Sequence, residues 1–184
     1  MTKINRMNKR GISNVVATII LIAVAIALAV AVAVWVFGLA GSAAKTATLT
    51  IQATSLTNVS SDKSANITFV VSNPSSSGVG INGFTLGSLT CTFSPPIQVS
   101  AGTQGETITF TLTISHNGNF TGISAIIVGN TPIYSSKASS SSSSSSTTTP
   151  TCTGIQSAAV GVQYSGYLTT ATGQTYPFTV TASS

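Results

Sequence analysis

The chain has 184 residues, 42% of them hydrophobic and only 5% charged, against roughly 25% charged residues in an ordinary soluble domain. Its only acids are Asp62 and Glu106 and its only histidine is His116. A catalytic carboxylate pair, a metal cage or a Ser/His/Asp triad would need nearly all of them, drawn from distant parts of the chain. The formal charge of +5 is concentrated in Lys3, Arg6, Lys9 and Arg10; from Ile12 onward Lys45, Lys63 and Lys137 face the two acids. The body therefore lacks the basic surface that nucleic-acid binding requires.

Residues 1–11, MTKINRMNKRG, are basic and contain no acid. An apolar run from Val15 to Leu39 follows, broken only by Thr18 and Gly38. It exceeds the roughly 20 residues that cross a bilayer. Positive charge before it and almost none after it put the amino end in the cytoplasm and export the body. Three fates fit such a segment. A secretory signal peptide would be cut near Ala40, Ser42 or Ala44, but its apolar core normally spans only roughly 7–15 residues. A permanent single-pass anchor is the second fate.

The third depends on the junction Lys9-Arg10-Gly11 followed by Ile12-Ser13-Asn14-Val15-Val16-Ala17-Thr18-Ile19-Ile20-Leu21. This junction resembles the class III signal of archaeal type IV pilins and their relatives, and the resemblance covers about residues 1–40. It implies that a membrane-embedded aspartic prepilin peptidase, reading Lys9, Arg10 and Gly11, removes residues 1–11. Ile12 then becomes the new amino terminus and the apolar helix stays on the mature protein. The resemblance also implies an assembly ATPase, a membrane platform protein and identical subunits as partners. Val16 stands where bacterial type IV pilins usually carry a glutamate; archaeal members commonly lack it.

Residues 12–41 are expected to be helical, with Gly38 and Gly41 marking the end and Trp35 and Phe37 at an outer membrane interface. From Ile12 to Ala40 such a helix is about 43 Å long, more than a bilayer core of roughly 30 Å. Within it, alanine alternates with larger apolar residues from Ala23 to Ala33. A period of two suggests a strand, but both alternating sets are apolar and alanine is a weak strand former. At about 100° per residue the pattern instead resolves into four rows. Ala23, Ala27 and Ala31 form one shallow row, and Ala25, Ala29 and Ala33 another on roughly the opposite side. Between them run Val24-Leu28-Val32 and Ile26-Val30-Val34. Each alanine row is a small-xxx-small pattern that admits a close helix neighbour. Alanine and valine are also simply common in membrane spans.

Beyond Lys45 the sequence changes to short alternating runs: Thr48–Ile51, Asn66–Val71 and, most clearly, Thr107–Ile114 with every threonine on one face. His116-Asn117-Gly118-Asn119 reads as a hairpin turn because Asn-Gly tolerates positive φ. Ile123–Val128 is the next strand, while Val160–Tyr164 and Tyr176–Val180 are strands separated by a turn at Ala171–Gln174. The Ser/Thr-rich stretch 139–150 cannot bury apolar surface and reads as a solvated loop. The tail after it is too small for its own core, so its strands should join the same sandwich. The expected class is α+β: a long amino-terminal hydrophobic helix followed by an all-β, immunoglobulin-like sandwich over residues 46–184.

Cys91 and Cys152 are the only cysteines. Outside the cell a disulfide tying the tail back across the serine loop is the expectation, two free buried thiols the alternative. Asn58, Asn66 and Asn119 begin N-x-S/T triplets, which a chain so rich in Ser, Thr and Asn also produces by chance. Asn58 and Asn119 fall in expected turns. The serine run is a possible carrier of O-linked sugar. His116, Asp62 and Glu106 read as solvated surface groups, and Cys91 has no neighbouring base to activate it. No phosphate-binding glycine loop or metal-ligand cluster occurs, so neither an enzyme nor a cofactor or metal is expected.

These readings converge on a structural subunit of an archaeal type IV-like pilus, held in the cytoplasmic membrane as a precursor and then assembled through its helix. The β-domain would face outward for adhesion at the cell surface. A monomeric cell-surface binding protein on the same anchor, or an archaellin in a rotating filament, are the alternatives.

Overall fold

The structure, a computed structural model, describes residues 10–43, 48–59, 63–136 and 148–184, with helix side chains described over 14–38. Lys9, Lys45, Asp62, Lys137 and the serine run to Thr147 lie outside the described residues. The chain forms two compact units, Met1–Ala44 and Lys45–Ser184.

The first unit is a single helix, α1, spanning Arg10–Ala43. Its 34 residues make it about 51 Å long. It begins two residues before the expected start and runs through both Gly38 and Gly41, which therefore do not terminate it. Either glycine costs about 1 kcal/mol relative to alanine, too little to stop propagation when Leu39, Ala40 and Ala43 follow. The segment Asn14–Gly38 is long and apolar enough to cross a membrane. The hydroxyl of Thr18, the polar interruption near its start, donates to the Val15 carbonyl at 2.8 Å, so it adds no unsatisfied group to an apolar environment.

The second unit is a two-sheet antiparallel sandwich. Its strands are β1 (Thr50–Thr57), β2 (Ser64–Ser72), β3 (Val79–Leu86), β4 (Leu89–Val99), β5 (Glu106–Ile114), β6 (Asn119–Val128), β7 (Thr131–Ser135), β8 (Thr149–Thr153), β9 (Gln156–Ser157), β10 (Gln163–Thr170) and β11 (Thr175–Thr181). One sheet has the order β1-β2-β5-β6-β7, with β9 beside β6; the other has the order β11-β10-β3-β4-β8. The tail strands join the same sandwich, as expected. The architecture is the expected immunoglobulin-like one, with a variation in connection. The strand beside β2 is β5, which leads outward to β6 and β7, whereas an immunoglobulin domain visits the outer position first.

Alternation places the core. On β2, Ala65, Ile67, Phe69 and Val71 are buried, and on β5, Ile108, Phe110 and Leu112. Between these, the outward threonines Thr68 and Thr109 join hydroxyls at 3.1 Å. Five phenylalanines meet across the two sheets: Phe110 lies 5.9 Å from Phe69, 5.0 Å from Phe84 and 5.2 Å from Phe93, and Phe69 lies 4.8 Å from Phe178.

Several expected boundaries shift. The strand expected at Val160 starts at Gln163 instead, because Val160 and Gly161 turn the chain and the Gly161 amide donates to the Ala182 carbonyl. In the β5–β6 hairpin only Gly118 has positive φ, at 70°. The Gly118 amide donates to the Ser115 carbonyl, and the Ser115 amide to the Asn119 carbonyl. This is a type I-like turn closed by a left-handed glycine, and it leaves Asn119 on the strand.

Proline blunts three of the outer strands, at Pro132 on β7, Pro150 on β8 and Pro177 on β11. A register shift between Ile51 and Ala53 interrupts β1. These are the devices that stop a sheet edge from recruiting another strand.

Candidate functional site

Among the described residues no three His, Cys, Asp or Glu side chains gather as metal ligands. His116 is exposed in the β5–β6 turn and Glu106 opens β5. The extensive uncovered chemistry is the surface of α1. Every residue from Asn14 to Gly38 is exposed, and the six ridge residues Val24, Ile26, Leu28, Val30, Val32 and Val34 are between 52% and 68% exposed. A helix apolar all round, with no wet face, is one whose sides all call for cover by lipid or protein.

The helical geometry also shows how the alanine rows end. Continued by four residues in each direction, the row Ala23-Ala27-Ala31 meets Ile19 and Trp35, and the row Ala25-Ala29-Ala33 meets Leu21 and Phe37. Each shallow row is thus closed at both ends by a bulky side chain. Rows four residues apart are those that interdigitate when two helices cross at roughly −50°. Closed rows would resist sliding of one helix along another.

No model of a known protein family matches the chain, and no curated protein matches it. Functional inference therefore rests on the residues themselves.

The junction singled out in the sequence falls in the first turn of α1, where Arg10, Gly11 and Ile12 are helical. A helix end frays readily because its first amides lack intrahelical partners. Lys9 lies outside the described residues.

Cys91 and Cys152 are joined by a disulfide, with their Cα atoms 4.1 Å apart. They are direct partners in the β4–β8 ladder, so the bond reinforces a strand pairing as well as closing a loop across the serine run. A loop of 61 residues places the chain-entropy gain at about 4 kcal/mol, near the upper end of the usual 2–4 kcal/mol. Replacing both cysteines by alanine is expected to lower the unfolding free energy of the β-unit by about 2–4 kcal/mol in a denaturant titration. An unchanged midpoint would show that the ladder alone suffices.

The three glycan acceptors occupy different settings. Asn58 is exposed just after β1, with φ of 62°. Asn66 is half-buried on the outer face of β2, between Thr57 and Thr111. Asn119, expected in a turn, is instead the first residue of β6, half-buried and paired with Ser157 of β9. Asn58 is the accessible turn acceptor of the three.

Sequence reasoning missed three polar anchors. Asn73 is fully buried; its side-chain amide donates to the carbonyls of Ser77, Val99 and Ser100, and its oxygen accepts from the Ser75 amide. The Tyr176 hydroxyl accepts from the Leu49 amide at 3.0 Å and donates to Gln174, fixing the start of the sandwich. The Tyr164 hydroxyl donates to the Ser157 carbonyl and accepts from the Ala159 amide, tying the segment between β8 and β10 to the core. The signal available for the first was an Asn-Pro-Ser turn sequence; for the tyrosines there was none.

Proposed function

We propose that this chain is the structural subunit of an archaeal type IV-like pilus, assembled through α1 with the β-unit outward. The observation that carries this reading is a 25-residue helical segment, Asn14–Gly38, apolar on every side and preceded at once by Arg10-Gly11-Ile12-Ser13. In the membrane, lipid covers it. On extraction, such a helix must be buried elsewhere, and copies of itself supply matching ridges and closed alanine rows. The closed rows offer a means of fixing register where Val16 replaces the glutamate of bacterial pilins.

The β-unit supports the same division of labour. Its outer strands carry proline or a bulge, which disfavours assembly by strand addition. Among its described residues the exposed large apolar side chains are Ile155, Val160, Val162 and Tyr167. Polar, mostly hydroxyl-bearing side chains supply much of the remaining outer surface. Adhesion through that surface, and glycans at Asn58 or on the serine run, would suit a charge-poor exterior.

Mass spectrometry of the subunit in filaments sheared from cells tests the proposal. The expected subunit begins at Ile12. A chain that retains residues 1–11 and is missing from every filament fraction would overturn the proposal in favour of a monomeric anchored binding protein. Presence in a rotating filament would assign the same helix to an archaellin.

A further inference from the structure

The outer face of the first sheet carries a groove of about 520 Å³, within the range of roughly 300–1,000 Å³ typical of small-ligand sites. It crosses four adjacent strands, from Ser64 on β2, over Thr111 and Thr113 on β5 and Ala125 on β6, to Ser135 on β7 and the adjoining Ser136. Thr111, Ala125 and Ser135 are successive cross-strand partners. The small Ala125 side chain thus leaves a depression between hydroxyl-bearing neighbours.

Two irregularities shape this depression. The β5–β6 register shifts between Thr111 and Leu112 and again between Thr113 and Ile114. Ser124 is the extra residue at the first shift, and its hydroxyl turns back to the Thr111 carbonyl at 3.2 Å. Bulges of this kind bend a strand and re-aim its side chains, and they are over-represented beside functional sites. At one end of the groove Lys63 adopts φ of 73°, a left-handed conformation that costs a non-glycine residue on the order of 1–3 kcal/mol. Its carbonyl accepts from the Ile114 amide at 2.7 Å, which holds it there.

Lys63 is the one lysine or arginine whose side chain is described, and among the described residues no carboxylate lines the groove. The hydroxyls of Ser64, Thr111, Thr113, Ser135 and Ser136 make no hydrogen bond to other described residues. Each can both donate and accept. A lysine at one end of a row of hydroxyls that have no partner among the described residues matches a ring that bears a carboxylate and several hydroxyls of its own. No aromatic side chain is among the described residues that line the groove, so these offer no stacking platform to a neutral sugar. Among the described lining residues one lysine, without an arginine, is a poorer fit to a phosphate dianion than to a carboxylate.

We infer that this groove binds a uronic-acid unit of an acidic polysaccharide, with Lys63 engaging the carboxylate and the Ser/Thr hydroxyls engaging the ring. The affinity of one such polar, open site is in the roughly millimolar range. Multiplication of the site along a filament, which rests on the proposed pilus function, would convert it into strong adhesion.

The test uses the full chain purified in detergent and titrated with tetragalacturonate, followed by NMR shifts or calorimetry, so that it does not depend on filament formation. Saturable binding that weakens with added salt is expected. Lys63→Gln should lose about tenfold in affinity, as should Thr111→Val with Thr113→Val. Lys63→Gly, which removes the charge while relieving the left-handed backbone, should lose as much although the domain melts no lower. Neutral galactotetraose should bind at least about tenfold more weakly. Absence of saturable binding, equal binding of the neutral sugar, or undiminished binding by the folded lysine variants would each overturn the assignment. None of these results would bear on assembly, which is read separately from filaments of Lys63→Gln cells.

Discussion

Replacing Ala27 and Ala29 together by leucine is expected to leave the chain in the membrane and abolish filaments. The two residues sit at the middle of opposite shallow rows of α1, so the double substitution fills both. Insertion should not suffer, because leucine at the centre of a membrane helix is favourable by about 0.3–0.6 kcal/mol. Packing should. Added methylenes in a close contact cost about 1–3 kcal/mol each time neighbours cannot yield, and a subunit surrounded by copies meets that cost on both sides. The sum, about 2–6 kcal/mol per subunit, corresponds to a loss of about 30-fold to 10⁴-fold in association. Ala27→Ser with Ala29→Ser keeps both rows small and should assemble. Membrane fractionation and electron microscopy of sheared material read the two effects separately. Normal filaments from the leucine variant would show that the alanine rows do not pack, and that lipid was their only neighbour.

The same helix shows what a linear reading can and cannot resolve. Its existence and its shallow rows are local properties, visible from the identities of residues 23–34 and a fixed rotation per residue. Its ends were less legible. Gly38 and Gly41 carry a stop signal in sequence, yet the helix passes both, because one glycine weakens a helix by less than the flanking residues sustain it.

In the sandwich, Thr107–Ile114 and Asn66–Val71 were readable because each has one wet face. β3 and β4 were not. β3 contains Gly80 and Gly83, which look like turn residues; a Cβ on Gly83 would lie 2.3 Å from the Cys91 carbonyl oxygen, so that glycine answers a tertiary approach that no local pattern reveals. β4 contains Pro95 and Pro96, which argue locally against a strand, and β8 is a five-residue strand whose partners are all on β4. The cysteine pair was legible as a pair from its number, whereas its place on adjacent strands required the ladder. The groove at Lys63 was not legible at all. It arises from two register shifts and from strands β2 and β7 converging on β5 and β6, relations that exist only after folding.

Phe110→Ala should cause the largest loss of β-unit stability of any single truncation in the core. Phe110 is fully buried and touches the rings of Phe69, Phe84 and Phe93, drawn from both sheets. Truncation removes a large apolar volume from a site that cannot collapse without drawing the sheets together, at a cost of about 3–5 kcal/mol. Ring contacts contribute about 0.5–1.5 kcal/mol each beyond area. For a unit of this size the melting temperature should fall by about 10–15 °C. Phe110→Leu, which keeps much of the volume and loses the ring geometry, should cost about 1–2 kcal/mol. If the leucine variant is as unstable as the alanine variant, ring geometry rather than filled volume holds the two sheets. The helix is a separate compact unit, and its apolar segment has the length and composition to insert by itself. Phe110→Ala should therefore still fractionate with membranes while its β-unit becomes sensitive to protease at a lower temperature. Loss of membrane association together with the fold would instead mean that insertion depends on the sandwich, and that the two units do not act independently before assembly.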